Sequence, residues 1–154
     1  MKLNRFVLLA IAPIMLVSTS LVSSAAPVPA PFGTELFKVV ENMGGSGKFV
    51  KAEKETTGTA RVITENGHRY IELDSAFSTS NQGPDLHVLL DPAVMPSANY
   101  ANQGNVINLG RLQSYQGTQR YAIPDVIKLD NYKSVVIWCR MANATFGYAP
   151  IGTP

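Results

Sequence analysis

"GTARVITENGHRYIELD", residues 58–74, is the stretch on which the fold turns. Two runs rich in β-branched and aromatic residues flank Asn66-Gly67, the dipeptide that tolerates the positive φ angles of a two-residue turn. The pattern predicts an antiparallel hairpin. Reading outward from it, the same grammar recurs. "GKFVKAE" (47–53) reads as the first strand, and "DLHVLLD" (85–91), entered through Gly83-Pro84, as another. "NVINLGRL" (105–112) and "QRYAIP" (119–124) look like a second antiparallel pair, joined through "QSYQGT". "SVVIWC" (134–139) is apolar on both faces: Val135, Ile137 and Cys139 point one way, Val136 and Trp138 the other. Two-sided burial places it in the middle of a sheet. "ATFGYAP" (144–150) is the last strand. Between them, 75–82 reads as a polar loop around Phe77, 92–104 as a long polar loop, and "DVIKLDNY" (125–132) as one turn of helix at most. Short strands with closely spaced turn signals predict an all-β fold, an antiparallel β-sandwich or barrel of about eight strands.

The strands occupy residues 47–154. Ahead of them, residues 1–26 have the order of a secretory signal: Lys2 and Arg5, an apolar run from Phe6 to Val17, then small residues to Ala26. The run is shorter than the roughly 20 residues of a membrane span. The expectation is therefore export, to a periplasm or the extracellular space, with an uncleaved membrane tether as the alternative and no membrane span after cleavage. Residues 27–46 read as linker and lead-in, and Thr34–Met43 within them as a short helix or an extended segment. The chain carries 13 Lys+Arg against 11 Asp+Glu. Losing Lys2 and Arg5 with the signal levels that balance. Nothing in it asks for nucleic acid, whose binding rests on clustered Lys and Arg.

Cys139 is the only cysteine. In an exported protein a leftover thiol points to reactivity or to intermolecular pairing. It also suits a core, where free cysteine behaves as a small hydrophobe. Arg140 follows directly, and a guanidinium lowers a thiol's pKa when the two meet. Neighbours on a strand face opposite ways, so adjacency alone does not bring them together. Blue copper needs two His, a Cys and a weak axial Met. Met141 lies near Cys139, but no histidine follows the cysteine, so that ligand loop cannot form. Zinc spacing is absent as well, leaving no metal expected. No catalytic residue is assigned. Haem attached through Cys-x-x-Cys-His is excluded, while non-covalent haem needs only axial ligands from Cys139, His87, His68, Met141 or Met95. His87, among the leucines of "DLHVLL", suits a satisfied sheet histidine, and His68 beside the turn a solvated one. A Cys139–His87 nucleophile pair requires the fold to bring the two together. "MGGSGKF" lacks the first glycine and the hydroxyl of a phosphate loop. Asp74, Asp85 and Asp91 at strand ends suit turns, with calcium as a lesser alternative. Asn143-Ala144-Thr145 fits a glycosylation sequon.

Four pieces in order, "TGTARVITENGHRYIELDSAF", "GPDLHVLLDP", "NLGRLQSYQGTQRYAIP" and "YKSVVIWCRMANATFGYAP", resemble the DM-thirteen domain, also called the electron-transfer DM domain. The resemblance runs from Gly47 to Ile151. It implies an extracytoplasmic β domain, in some proteins joined to haem-associated modules, and a redox role proposed to rest on the cysteine matching Cys139. Here the domain stands alone, so an electron partner is a separate redox protein. Two readings follow: a redox or electron-transfer accessory using Cys139 as thiol or prosthetic-group ligand, or a non-catalytic binding or structural module with Cys139 in the core. Trp138, on the opposite face, reads as core in preference to an electron relay.

Overall fold

The computed structural model describes residues 44–100 and 102–152. The signal segment and Thr34–Met43 lie outside the described residues. Among the described residues there are eleven strands: β1 Ser46–Lys48, β2 Val50–Lys51, β3 Thr56–Thr57, β4 Thr59–Glu65, β5 His68–Leu73, β6 Ser78–Thr79, β7 Leu86–Asp91, β8 Ile107–Arg111, β9 Gln119–Ile123, β10 Ser134–Cys139 and β11 Ala144–Pro150. Three of these (β2, β3 and β6) hold two residues each, too few to show a period in sequence. The expected turn of helix is a 3-10 turn at Leu129–Asn131.

The hairpin forms as the sequence predicts. Asn66 and Gly67 take φ of 51° and 79°, and β4 and β5 pair from Glu65–His68 down to Ala60–Leu73. All sheets are antiparallel. One has the order β1-β4-β5-β9, the other β2-β11-β10-β7-β8, with β3-β6 as a small separate ladder. The two larger sheets share one core, so the fold is a sandwich. Ala60, Val62, Ile71, Leu73, Tyr121 and Ile123 face it from the first sheet; Leu86, Val88, Leu90, Val135, Ile137 and Phe146 face it from the second. Burying each large aliphatic side chain contributes about 1.5–3 kcal/mol. β10 is central, between β7 and β11, as its two-sided apolarity requires.

Two expectations need correction. The first strand is split at Phe49: β1 pairs with β4 in one sheet and β2 with β11 in the other. Phe49 turns into the core against Phe77, ring centroids 5.3 Å apart. Phe77 itself is buried, so the 75–82 segment is anchored in the core. Likewise β8 and β9 are not a hairpin. β8 pairs with β7 and β9 with β5, in opposite sheets. Packed sheets lie about 10 Å apart, and the 112–118 connection crosses that gap. The Gln119 side chain fixes the crossing, its Nε2 donating to Ser114 O at 2.9 Å and its Oε1 accepting from Ser114 N at 3.1 Å.

On the outer face of the first sheet a charged row crosses three strands. Glu72 lies between Arg61 and Arg120 in register. It accepts from Arg61 Nε at 2.8 Å and Arg120 Nε at 2.6 Å, and Arg120 also meets Glu65 at 3.2 Å. The Glu72 side chain is only 3% exposed. Burial alone pushes its carboxyl pKa up; the two guanidinium groups overcome this and hold it below its ordinary range.

Candidate functional site

Cys139 is the last residue of β10, between Leu86 of β7 and Ala144 of β11. The alternation of β10 carries its side chain into the main core, and its exposure is 0%. The next residue, Arg140, is exposed and opens the turn to β11. Surface hollows lined by Arg69 and Lys128, by Ile107 and Tyr132, and by Thr79 and Tyr115 do not include Cys139.

Arg140 does not turn toward the sulfur. Its backbone N–H donates to Asp85 O at 2.9 Å and its Nε to Asp85 Oδ2 at 2.6 Å. Asp85 is buried, and it gathers two further partners: Arg111 Nε at 3.3 Å and His87 Nε2 at 3.0 Å, both at Oδ1. Burial by itself raises the Asp85 pKa. Hydrogen bonds and charge from Arg140 and His87 reverse that and hold it below the ordinary carboxylate value. Asp85 lies in the turn that enters β7, as expected, and its side chain is also the centre of a charge cluster. Asp74 and Asp91 do cap turns, accepting from Ala76 N and Ala93 N at 3.1 and 2.7 Å.

His87 is the satisfied sheet histidine that its surroundings suggest. Its other ring nitrogen, Nδ1, lies 3.2 Å from Asn108 Oδ1, an oxygen that also accepts from Gly110 N. An amide oxygen and a carboxylate oxygen thus face the two ring nitrogens. His87 is not brought to Cys139. It is paired with Trp138 and shares that residue's face of the sheet, opposite the sulfur. Met141 and Met95 are exposed at 74% and 75%, and His68 sits at the hairpin end near Asp125. Haem fits poorly here: Cys139 lies in the main core, His87 on the opposite face of the sheet, and Met95, Met141 and His68 at separate exposed positions. Among the described residues no group of three or more His, Cys, Asp or Glu is placed to hold a metal.

The face of β7 and β10 turned away from the main core carries a second assembly. Leu89, Val136 and Trp138 are buried there beneath Tyr100 and Val106. The described residues of the 92–104 segment, read from sequence as a polar loop, form their cover together with Val106, held by Ser134 Oγ donating to Ala93 O at 2.8 Å and Thr145 Oγ1 to Ser97 O at 2.7 Å. The Tyr100 and Trp138 rings meet edge to face at 5.9 Å, and the Tyr100 hydroxyl donates to Asp91 Oδ2 at 2.6 Å. Burial, then that hydrogen bond and the Asp91 charge, push the Tyr100 pKa far up. Asn143, the sequon residue, accepts at Oδ1 from Tyr100 N and Trp138 Nε1 at 2.8 and 3.2 Å.

Asp85, immediately before β7, and His87, within it, are two residues apart and share a face by the period of two, so their meeting had a sequence signal. Tyr100 had none, since its position depends on how the loop folds back. Neither the curated proteins nor the solved structures give a significant match to this chain. The model of the family described as electron transfer DM13 matches residues 48–151, from the end of β1 to just beyond β11, with Cys139 inside the match. The chain belongs to this electron-transfer DM13 family, and with that its role is redox-related in general terms.

Proposed function

We propose that the chain is an exported electron-transfer accessory domain that works with a separate redox protein, with Cys139 as a gated thiol. Family membership supports the redox role, and the order of residues 1–26 supports export. The observation that carries the thiol reading is positional. Cys139 is enclosed, yet the chain becomes exposed at the very next residue. Thiol–disulfide exchange needs the thiolate to meet a partner sulfur. An enclosed thiol therefore reacts only from a state in which the end of β10 has opened, and such partial openings cost less than global unfolding. A bound prosthetic group is no part of this reading, because the ligand types do not converge.

The complete burial of the sulfur favours a second reading, a binding or structural module in which Cys139 fills space. Thiol labelling of the native protein in increasing, sub-denaturing urea separates the two. A gated thiol labels at a rate well above that set by global unfolding, with a shallow dependence on urea. A core filler labels only as the whole domain unfolds, with the full dependence of the global transition. That second outcome would end the thiol reading while leaving family membership untouched.

A further inference from the structure

The second face of β10 holds chemistry that the thiol does not use. Trp138 is the only tryptophan of the chain, 3% exposed, with the Tyr100 ring against it at 5.9 Å and 84°. Indole and phenol are the side-chain rings from which one electron is most readily removed. What distinguishes this pair is the partner each ring has for its proton. Trp138 Nε1–H points at the amide oxygen of Asn143, 3.2 Å away, which accepts a hydrogen bond but is too weak a base to take a proton. Tyr100 O–H points at the carboxylate of Asp91, 2.6 Å away, which is such a base. Asp91 is buried and fixed, because Ala93 N–H holds its other oxygen at 2.7 Å.

We propose that Trp138, Tyr100 and Asp91 form a one-electron relay that carries an oxidising equivalent from the buried indole to the half-buried phenol. A small oxidising radical takes one electron from the indole and departs as its anion. The indole radical cation has no basic acceptor for its N–H proton. Tyr100 returns one electron to it, and in the same step the phenolic O–H bond breaks and a new O–H bond forms on Asp91 Oδ2. The products are neutral indole, a phenoxyl radical and a neutral carboxylic acid. A small reductant of the thiol or enediol class then gives one electron to the phenoxyl, and the proton returns from Asp91. The relay runs on the opposite face of β10 from Cys139 and uses no sulfur, so it stands apart from the thiol reading.

The test is transient absorption after the full chain is oxidised by pulse-generated azide radical, which attacks indole selectively. The wild type is expected to show the indole radical band decaying as the phenoxyl band rises, at one rate that does not change with protein concentration. Tyr100→Phe keeps the ring packing and is expected to lose the phenoxyl phase and prolong the indole radical. Asp91→Asn is expected to slow the hand-over. Circular dichroism of each variant confirms the fold beforehand. A phenoxyl rise of unchanged rate in Tyr100→Phe would assign it to another of the six tyrosines and overturn the relay. A rise that scales with protein concentration would overturn it too. An unchanged rate in Asp91→Asn would remove Asp91 as the proton acceptor.

Discussion

Arg140 and Asp85 are joined twice, backbone N–H to carbonyl at 2.9 Å and Nε to carboxylate at 2.6 Å. Arg140 follows Cys139, and Asp85 precedes Leu86, the cross-strand neighbour of Cys139. The clamp therefore closes the end of the β7–β10 pair against which the sulfur rests. Charge-assisted hydrogen bonds of this kind are the strong ones, and this pair also fixes the direction in which the chain leaves β10.

Replacing Asp85 by Asn keeps the shape but removes the charge that gathers Arg140, Arg111 and His87. Cys139 should then label faster in the native protein, by more than the loss of global stability accounts for. Paired labelling rates and urea midpoints check this. A rise that matches the stability change would show that Asp85 does not gate the thiol.

Substitution of the cysteine itself separates volume from polarity. Cys139→Ser places a hydroxyl in an apolar site and should cost about 1–3 kcal/mol. Cys139→Ala loses only a small volume and should cost less. Urea denaturation of the three proteins gives the ranking, and a Ser variant as stable as the wild type would mean that a polar partner lies within reach of the side chain.

Acid should unfold the domain through two carboxyl groups. Glu72 and Asp85 both have folded pKa values below their ordinary 4.5 and 3.8. A lowered folded pKa gives stability that is complete above the ordinary value and lost as pH falls through the folded one. Tm should hold steady down to about pH 5 and fall below about pH 4. In Glu72→Gln the Tm at neutral pH should drop, consistent with a loss of about 1–3 kcal/mol, and its decline in acid should be shallower. An acid profile identical to the wild type would exclude Glu72 as a source of the sensitivity.

Two glycines should respond differently to alanine. Gly147 of β11 faces Thr56, and a Cβ there would lie 2.4 Å from the Thr56 Cβ, with Thr56 buried and bonded to Thr79. Overpacking of this sort costs about 1–3 kcal/mol. Gly67 in the hairpin turn has nothing within 4 Å of a Cβ but a φ of +79°. Its alanine variant should lose about 1 kcal/mol, through backbone conformation alone. Equal losses at the two sites would contradict the close approach at Gly147.

Local patterning alone carried the fold class and much of the strand list. Alternating and two-sided apolar runs have a physical period, and Asn66-Gly67 sets a turn through local backbone energetics, so β4, β5, β7, β10 and β11 were legible. It also determined that Cys139 and Trp138 face opposite ways, because neighbours on a strand must. Strand partnership came from long-range packing: β8 and β9 look like a hairpin locally, yet β8 pairs with β7 and β9 with β5, in different sheets. That packing likewise decided the surroundings of the functional groups. Asp85 is a turn residue by type and also a buried ion centre by position, and Tyr100 reaches Trp138 only because the chain from Pro92 to Tyr100 folds back over β10. Such contacts join residues far apart in the chain, and no local spacing records them.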